Sequence, residues 1–380
     1  MKTMGSNLCA IMARSRVRML AGASAGAMCL TALAALGPGG TAAQAAAPYP
    51  TPAITVAGGN SVIAVQTSGD GLRFYWNQYG TNTWRGEQVA ANGTTYSPPT
   101  IVQDGNAVII AAQGPNDSLD FYWQQIGTSG WNAETVAGAR STYSAPSMGV
   151  DDNTVNIAAE GPNNSLTFYW AVNGSATWGP ETVAGPGTTY SAPSLAVNGG
   201  GINIAAEGPS NSLDFYWALN GTSTWGPEVV AGAGTTFSPP AITGNDGSAN
   251  IAAEGTDHNL DFYWQVNGTT PWNLVYVPFG GQVYGPPAIT PFVNDGVDEV
   301  DVVAPSLLNG LMDYGAADGS EYWQALSVDG TGIAGSAATV TENNGSENIG
   351  VFAPSGELDF YWTNSTGAYQ KEVVAAAGVN

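Results

Sequence analysis

The sequence predicts an all-β chain, a seven-bladed β-propeller with four antiparallel strands per blade, preceded by an N-terminal signal peptide. Three observations predict it. First, a Phe-Tyr-Trp phrase recurs at Phe74-Tyr75-Trp76, Phe121-Tyr122-Trp123, Phe168-Tyr169-Trp170, Phe215-Tyr216-Trp217 and Phe262-Tyr263-Trp264, in steps of 47 residues. A degenerate copy, Asp313-Tyr314-Gly315, follows 51 residues later, and Phe360-Tyr361-Trp362 comes 47 after that. A fixed period of this size marks a solenoid, a propeller or an array. Second, each period holds four strand-like segments separated by Asn, Gly, Asp and Ser, the make-up of a propeller blade. Third, the repeats leave no room for a helix, and a right-handed β-helix has a shorter repeat.

Residues 1–45 have the pattern of a secretory signal. Lys2, Arg14, Arg16 and Arg18 make a basic front, Met19 to Leu36 is a small-residue apolar run, and Ala43-Gln44-Ala45 fits a small-x-small cleavage site. An uncleaved anchor is the competing reading, and Met12 is an alternative start. Cys9 and Cys29 both fall in this segment, so the remainder has no disulfide and no thiolate metal site. A core built from about 330 residues needs no such staple. Residues 46–50 are a linker, and 51–380 divide into blades at 51–93, 94–140, 141–187, 188–234, 235–282, 283–330 and 331–380.

Within a blade, the segments follow one order. Ser191-Ala192-Pro193-Ser194-Leu195 opens blade 4, and Ile202-Asn203-Ile204-Ala205-Ala206-Glu207 follows. Their small side chains suit strands crowded near the axis. Leu213, Phe215 and Trp217 alternate with Asp214 and Tyr216, a period of two that fits a third strand where the blades fan out. Asn220-Gly221 turns the chain. Trp225-Gly226-Pro227-Glu228 begins the outermost strand.

All 30 acidic residues lie beyond Ala45, against Arg73, Arg85, Arg140 and Lys371, so that segment carries a formal charge of −26. Nucleic acid and anionic membrane surfaces are thereby excluded as partners, because both need Lys and Arg against phosphate. A soluble, secreted protein kept apart by self-repulsion fits.

The tryptophan after the turn recurs at Trp84, Trp131, Trp178, Trp225, Trp272 and Trp323. It either pins the turn or forms a repeated platform on which sugar rings stack by their C–H faces. Candidate carbohydrate-binding residues between blades 2 to 5 are therefore Trp131, Trp178, Trp225 and Trp272, with the second-strand Gln113, Glu160, Glu207 and Glu254. Asp120, Asp214 and Asp261 also repeat. Blade 6 has Gly315 for the third-strand tryptophan, and blade 7 has Gln370 for the turn tryptophan, with Tyr369 beside it. A repeated site is expected to be weakest there.

Catalysis finds no support. The single histidine, His258, sits where other repeats have Asn164 and Asn211 and reads as a solvated surface residue. The arginines occupy non-equivalent repeat positions, and no serine elbow, phosphate loop or metal-ligand cluster appears. Asn294-Asp295-Gly296-Val297-Asp298-Glu299-Val300-Asp301 has oxygen ligands at alternate positions but not the EF-hand spacing, and reads as a solvated turn rather than a calcium site.

The order of a Ser-Ala-Pro strand, a small-residue strand ending in Glu160-Gly161-Pro162-Asn163-Asn164-Ser165-Leu166, an aromatic strand and Trp178-Gly179-Pro180-Glu181 resembles the repeats of PLL-like bacterial lectins. The resemblance is weak only in 283–330. It implies a seven-bladed propeller that binds fucose and related sugars between blades. The expectation is a secreted, multivalent, non-catalytic carbohydrate-binding protein, with glycans as partners and no cofactor or metal. The alternative is a propeller that serves as a structural or protein-interaction platform on a ring face, without a small ligand.

Overall fold

The computed structural model describes residues 49–378 apart from 78–80, 82, 152, 246, 267–270, 278–281, 295–296 and 318. The expected signal segment lies outside the described residues.

Each repeat forms one four-stranded antiparallel sheet with its strands in sequence order, and there are seven such sheets. They span Ala53–Ala90, Thr100–Ala137, Ser147–Ala184, Ser194–Ala231, Ala241–Tyr276, Ala288–Asp329 and Thr339–Ala375, blades 1 to 7. The innermost strands of neighbouring blades pack side by side, and that of blade 1 meets that of blade 7. Among the described residues, no strand is exchanged to close the ring. Closure is by side chains instead: Ile63 and Tyr75 of blade 1 cluster with Phe352, Leu358 and Phe360 of blade 7.

The alternation seen in the sequence sets the packing. In blade 4, Asn203 pairs with Trp217, Ile204 with Tyr216 and Ala205 with Phe215. Phe168 of blade 3 then shares a cluster with Ile202, Ile204 and Tyr216 of blade 4, so the core lies between blades. Each such aromatic contributes roughly 1.5–3 kcal/mol by burial.

The turn between second and third strands holds two successive left-handed residues: Asn163 and Asn164, Ser210 and Asn211, or Asp257 and His258. That is the geometry of a tight hairpin whose twist matches the strands, and Asn tolerates it best. Short 3-10 turns at Pro115–Asp117, Thr256–His258 and Leu307–Asn309 belong to these hairpins. They are the only helical geometry among the described residues, in a chain where none was expected.

Three expectations need correction. His258 is not merely solvated: its Nδ1 lies 2.7 Å from Glu254 Oε1, and its ring stacks on Tyr284. The hairpin geometry puts it where Asn164 and Asn211 bond Glu160 and Glu207. Asp301 is not in a solvated turn. It lies in the second strand of blade 6 and is 1% exposed, while Asp295 and Gly296 lie outside the described residues. In blade 7, Tyr369 and not Gln370 replaces the turn tryptophan: Tyr369 pairs with Thr363 as Trp84 pairs with Asn77. That turn is one residue shorter, so counting from Trp362 overshoots.

Candidate functional site

The turn tryptophans are inter-blade wedges. Trp131 lies edge-on to Phe74 at 5.2 Å, Trp178 to Phe121 at 5.3 Å, Trp225 to Phe168 at 5.0 Å and Trp272 to Phe215 at 4.9 Å. Each reaches back onto the preceding blade, where its indole N–H finds a carboxylate on the outermost strand. Trp131 donates to Glu87 at 2.9 Å, Trp178 to Glu134 at 2.8 Å, Trp225 to Glu181 at 3.1 Å and Trp272 to Glu228 at 3.0 Å. Trp84 closes the ring in the same way, on Phe360 and on Glu372. An ionised acceptor makes these bonds stronger than neutral ones and holds the glutamate in place.

The second-strand residues Gln113, Glu160, Glu207 and Glu254 lie at the other end of the blade. Glu207 pairs with Leu213 at the start of the third strand, while Trp225 adjoins Gly226, which pairs with Trp217 near its end. Four residues of strand, roughly 13 Å, separate those levels. There Glu160 and Glu207 accept from Asn164 and Asn211, and Glu254 faces His258. Gln113 donates to the Thr142 carbonyl. These residues brace the hairpin and the chain entering the next blade. The structure therefore does not bring them together with Trp131, Trp178, Trp225 and Trp272.

Near the turn tryptophans Trp84, Trp131 and Trp272 lies a cleft between blades that sequence reasoning passed over. Its walls are the third-strand tryptophan and the outermost-strand glutamate of one blade and a polar third-strand residue of the next. At the junctions of blades 2 with 3 and 3 with 4, the equivalent of that polar wall residue is Ala171 and Ala218. Between blades 1 and 2, Trp76, Glu87, Val62 and Gln124 line a cavity of about 500 Å³. Between blades 4 and 5, Trp217, Glu228, Asn203 and Gln265 line one of about 260 Å³. Between blades 7 and 1, Trp362, Glu372, Asn348 and Asn77 line one of about 570 Å³. Trp170 and Trp217 are 38% and 40% exposed, high values for tryptophan in a folded core. A sequence signal for the glutamate existed. It stands three residues after the turn tryptophan in blades 1 to 4, and is lost to Val275 and Leu326 in blades 5 and 6.

Two junctions lack this arrangement. Between blades 5 and 6, Val275 stands for the glutamate, and the Trp323 indole N–H is buried without an acceptor among the described residues. Between blades 6 and 7, Asp313 takes the position of the floor phenylalanine and Gly315 that of the tryptophan. The Tyr369 hydroxyl bridges Asp313 Oδ2 at 2.9 Å and Glu347 Oε2 at 2.5 Å. Asp301, Asp313 and Glu347, all 1% exposed, bring oxygens within 4.8 Å of one another. Burial and the two carboxylates hold the Tyr369 phenol protonated. A phenol has one proton to give, so both contacts are satisfied together only when one of the acids is also protonated. The closing cleft between blades 7 and 1 is intact, although a weakened site was expected there.

Burial raises the pKa of the hairpin-end acids Glu160, Glu207 and Glu254, and of Asp120 and Asp214. Asp261 is pushed from 3.8 to about 6.

The fold defines a seven-bladed propeller with repeated inter-blade clefts. Among solved structures, the chain is similar to the BP39L lectin of Burkholderia pseudomallei, at a TM-score of 0.75 and 18% identity over 86% of this chain and 99% of that one. It is similar to a mutant of AofleA from Arthrobotrys oligospora, at 0.55 and 13% over 86% of each chain. It is also similar to the fucose-specific lectin of Aleuria aurantia, at 0.53 and 13% over 87% of this chain and 96% of that one. At these identities the likeness establishes the fold. No family model and no curated protein matches the chain.

Proposed function

We propose that the chain is a secreted, multivalent carbohydrate-binding propeller without catalytic activity, binding glycans in the clefts between blades 7 and 1, 1 and 2, 2 and 3, 3 and 4, and 4 and 5. The observation that carries this reading is a repeated arrangement in which the outermost-strand glutamate stands opposite the phenylalanine two residues before the third-strand tryptophan, on the same face of the sheet: Glu372 with Trp362, Glu87 with Trp76, Glu134 with Trp123, Glu181 with Trp170 and Glu228 with Trp217. An indole face stacks on the apolar face of a pyranose, and a carboxylate accepts hydroxyl hydrogen bonds. Trp84, Trp131, Trp178, Trp225 and Trp272 act as positioning residues, since their N–H bonds orient the glutamates. The similar propellers that carry the name lectin support the same reading. Weak sites on one rigid ring gain avidity for polyvalent glycans. A glycan array followed by calorimetry tests it, with up to five sites per chain expected. A folded protein silent on the array overturns the reading. It would leave the half-exposed Tyr96, Tyr143, Tyr190 and Phe237, at one repeat position, as the surface to test for a protein partner.

A further inference from the structure

The five tryptophan–glutamate sites are not chemically alike, and the state of the carboxylate follows one residue. Opposite the third-strand tryptophan, on the outermost strand, stand Arg85, Asn132 and Gln370 in blades 1, 2 and 7, but Gly179 and Gly226 in blades 3 and 4. In the two glycine blades the indole leans over the bare backbone. A Cβ on Gly179 would come within 2.8 Å of Trp170 Cε2, and one on Gly226 within 2.7 Å of Trp217 Cε2. From that position Trp170 donates its N–H to Glu181 Oε1 at 3.0 Å, and Trp217 to Glu228 Oε1 at 3.1 Å. The other oxygen of each carboxylate already holds the next blade's turn tryptophan. Both oxygens are thus engaged by indoles.

Where a side chain fills that position, the indole does not reach its own glutamate. Trp76 lies flat on Phe74 (5.7 Å, 21°) and Trp123 on Phe121 (5.9 Å, 28°). Glu87 Oε1, Glu134 Oε1 and Glu372 Oε2 take the turn tryptophans, and no hydrogen bond from a described residue reaches the second oxygen of any of the three. Resting on the proposed carbohydrate-binding reading, we propose that this residue sets two classes of saccharide cleft. The clefts after blades 7, 1 and 2 bind tightly and select hydroxyl configuration, because an indole face and a carboxylate oxygen are both available. Those after blades 3 and 4 bind weakly and tolerate epimers, because both oxygens of their carboxylate are already taken by indoles. A hydrogen bond to a charged acceptor is worth about 1.5–3 kcal/mol, so the classes differ by about tenfold or more in affinity.

The test is the double variant Gly179→Asn, Gly226→Asn, whose strand backbone is open to any L-residue because neither glycine has a positive φ. Methyl glycosides of fucose, galactose and glucose serve as probes in calorimetry, the last two differing at a single hydroxyl. The wild type is expected to show three tight, epimer-selective sites and two weak ones, and the variant five of one tight class. Indole N–H exchange by NMR gives a ligand-independent readout: Trp170 and Trp217 are protected in the wild type and lose that protection in the variant. A wild type with a single class of sites, or a variant that keeps two, overturns the proposal while leaving carbohydrate binding intact. Failure of the wild type to bind any of the three probes overturns the underlying reading instead, and the two-class proposal falls with it. Unchanged indole protection in a folded variant removes the steric cause and overturns the proposal on its own.

Discussion

Asp261 makes a prediction about stability against pH. Its repeat-mates have hydrogen-bond or charge partners: Asp120 accepts from Thr135 at 3.0 Å, Asp214 from Ser212 at 3.2 Å, and Asp359 pairs with Lys371 at 2.7 Å. In blade 5, Asn259 stands for the serine and Tyr276 for the threonine; Asp261 Oδ1 is buried without a hydrogen-bond partner among the described residues, and a hydrogen bond with Tyr263 offsets the desolvation of the carboxyl only in part. The residue is 5% exposed, and desolvation lifts its pKa from 3.8 to about 6. A raised carboxyl keeps its proton in the folded state at a pH where the unfolded chain has lost it. Its contribution is therefore most favourable below about pH 4, falls as pH rises through about 6, and is flat above. The rise corresponds to about 3 kcal/mol. Asp104, Asp120, Asp214, Asp359, Glu160, Glu207 and Glu254 are raised by burial too and act in the same direction, as does relief of self-repulsion. The protein should thus be more stable at about pH 5 than at neutrality. Asp261→Asn isolates one share of this: the variant should gain up to about 3 kcal/mol at neutral pH and nothing at about pH 4. Urea unfolding of both proteins across that range measures it. A variant with the wild-type pH slope, or a wild type whose stability climbs from about pH 4 to neutrality, would refute the reasoning.

Trp225→Ala removes an inter-blade wedge and should cost about 3–5 kcal/mol by urea unfolding, and it leaves Glu181 held by the Trp170 indole alone, so the change in binding should be confined to the cleft between blades 3 and 4. Neighbouring clefts should keep their calorimetric stoichiometry, because blades contact only their neighbours. Val275→Glu should give the buried Trp323 N–H an acceptor, stabilise the ring by about 1 kcal/mol, and add one site beside Trp264. Tyr369→Phe should destabilise by about 1–3 kcal/mol, since it strips the shared hydroxyl from Asp313 and Glu347. The loss should shrink on acidification, as carboxyls that carry protons need that donor less.

The period of 47 residues, the aromatic alternation and the hairpin signals made the propeller legible, because each is local and each repeats. The same evenness hid the exceptions. His258 looked like an asparagine of the hairpin, and only the fold shows it against Glu254 and Tyr284. Asp301 looked like a loop acid, but its strand carries it into the interface of blades 6 and 7. Counting residues assigned Gln370 to a position that a shorter turn gives to Tyr369.

The residue types of the candidate site were in the sequence, but their partnership was not. Strand period fixed which residues lie on which strand, and so fixed seven sheets, an inter-blade aromatic core and an acidic surface. It could not fix which tryptophan meets which carboxylate, because the two come from different blades. Trp225 and Glu181 are 44 residues apart in the chain and 3.1 Å apart in space. Glu207, closer in sequence to Trp225, lies at the opposite end of its blade. Register along the strands and the packing of one sheet on the next decide such pairs. Both are properties of two repeats together, which no single repeat encodes.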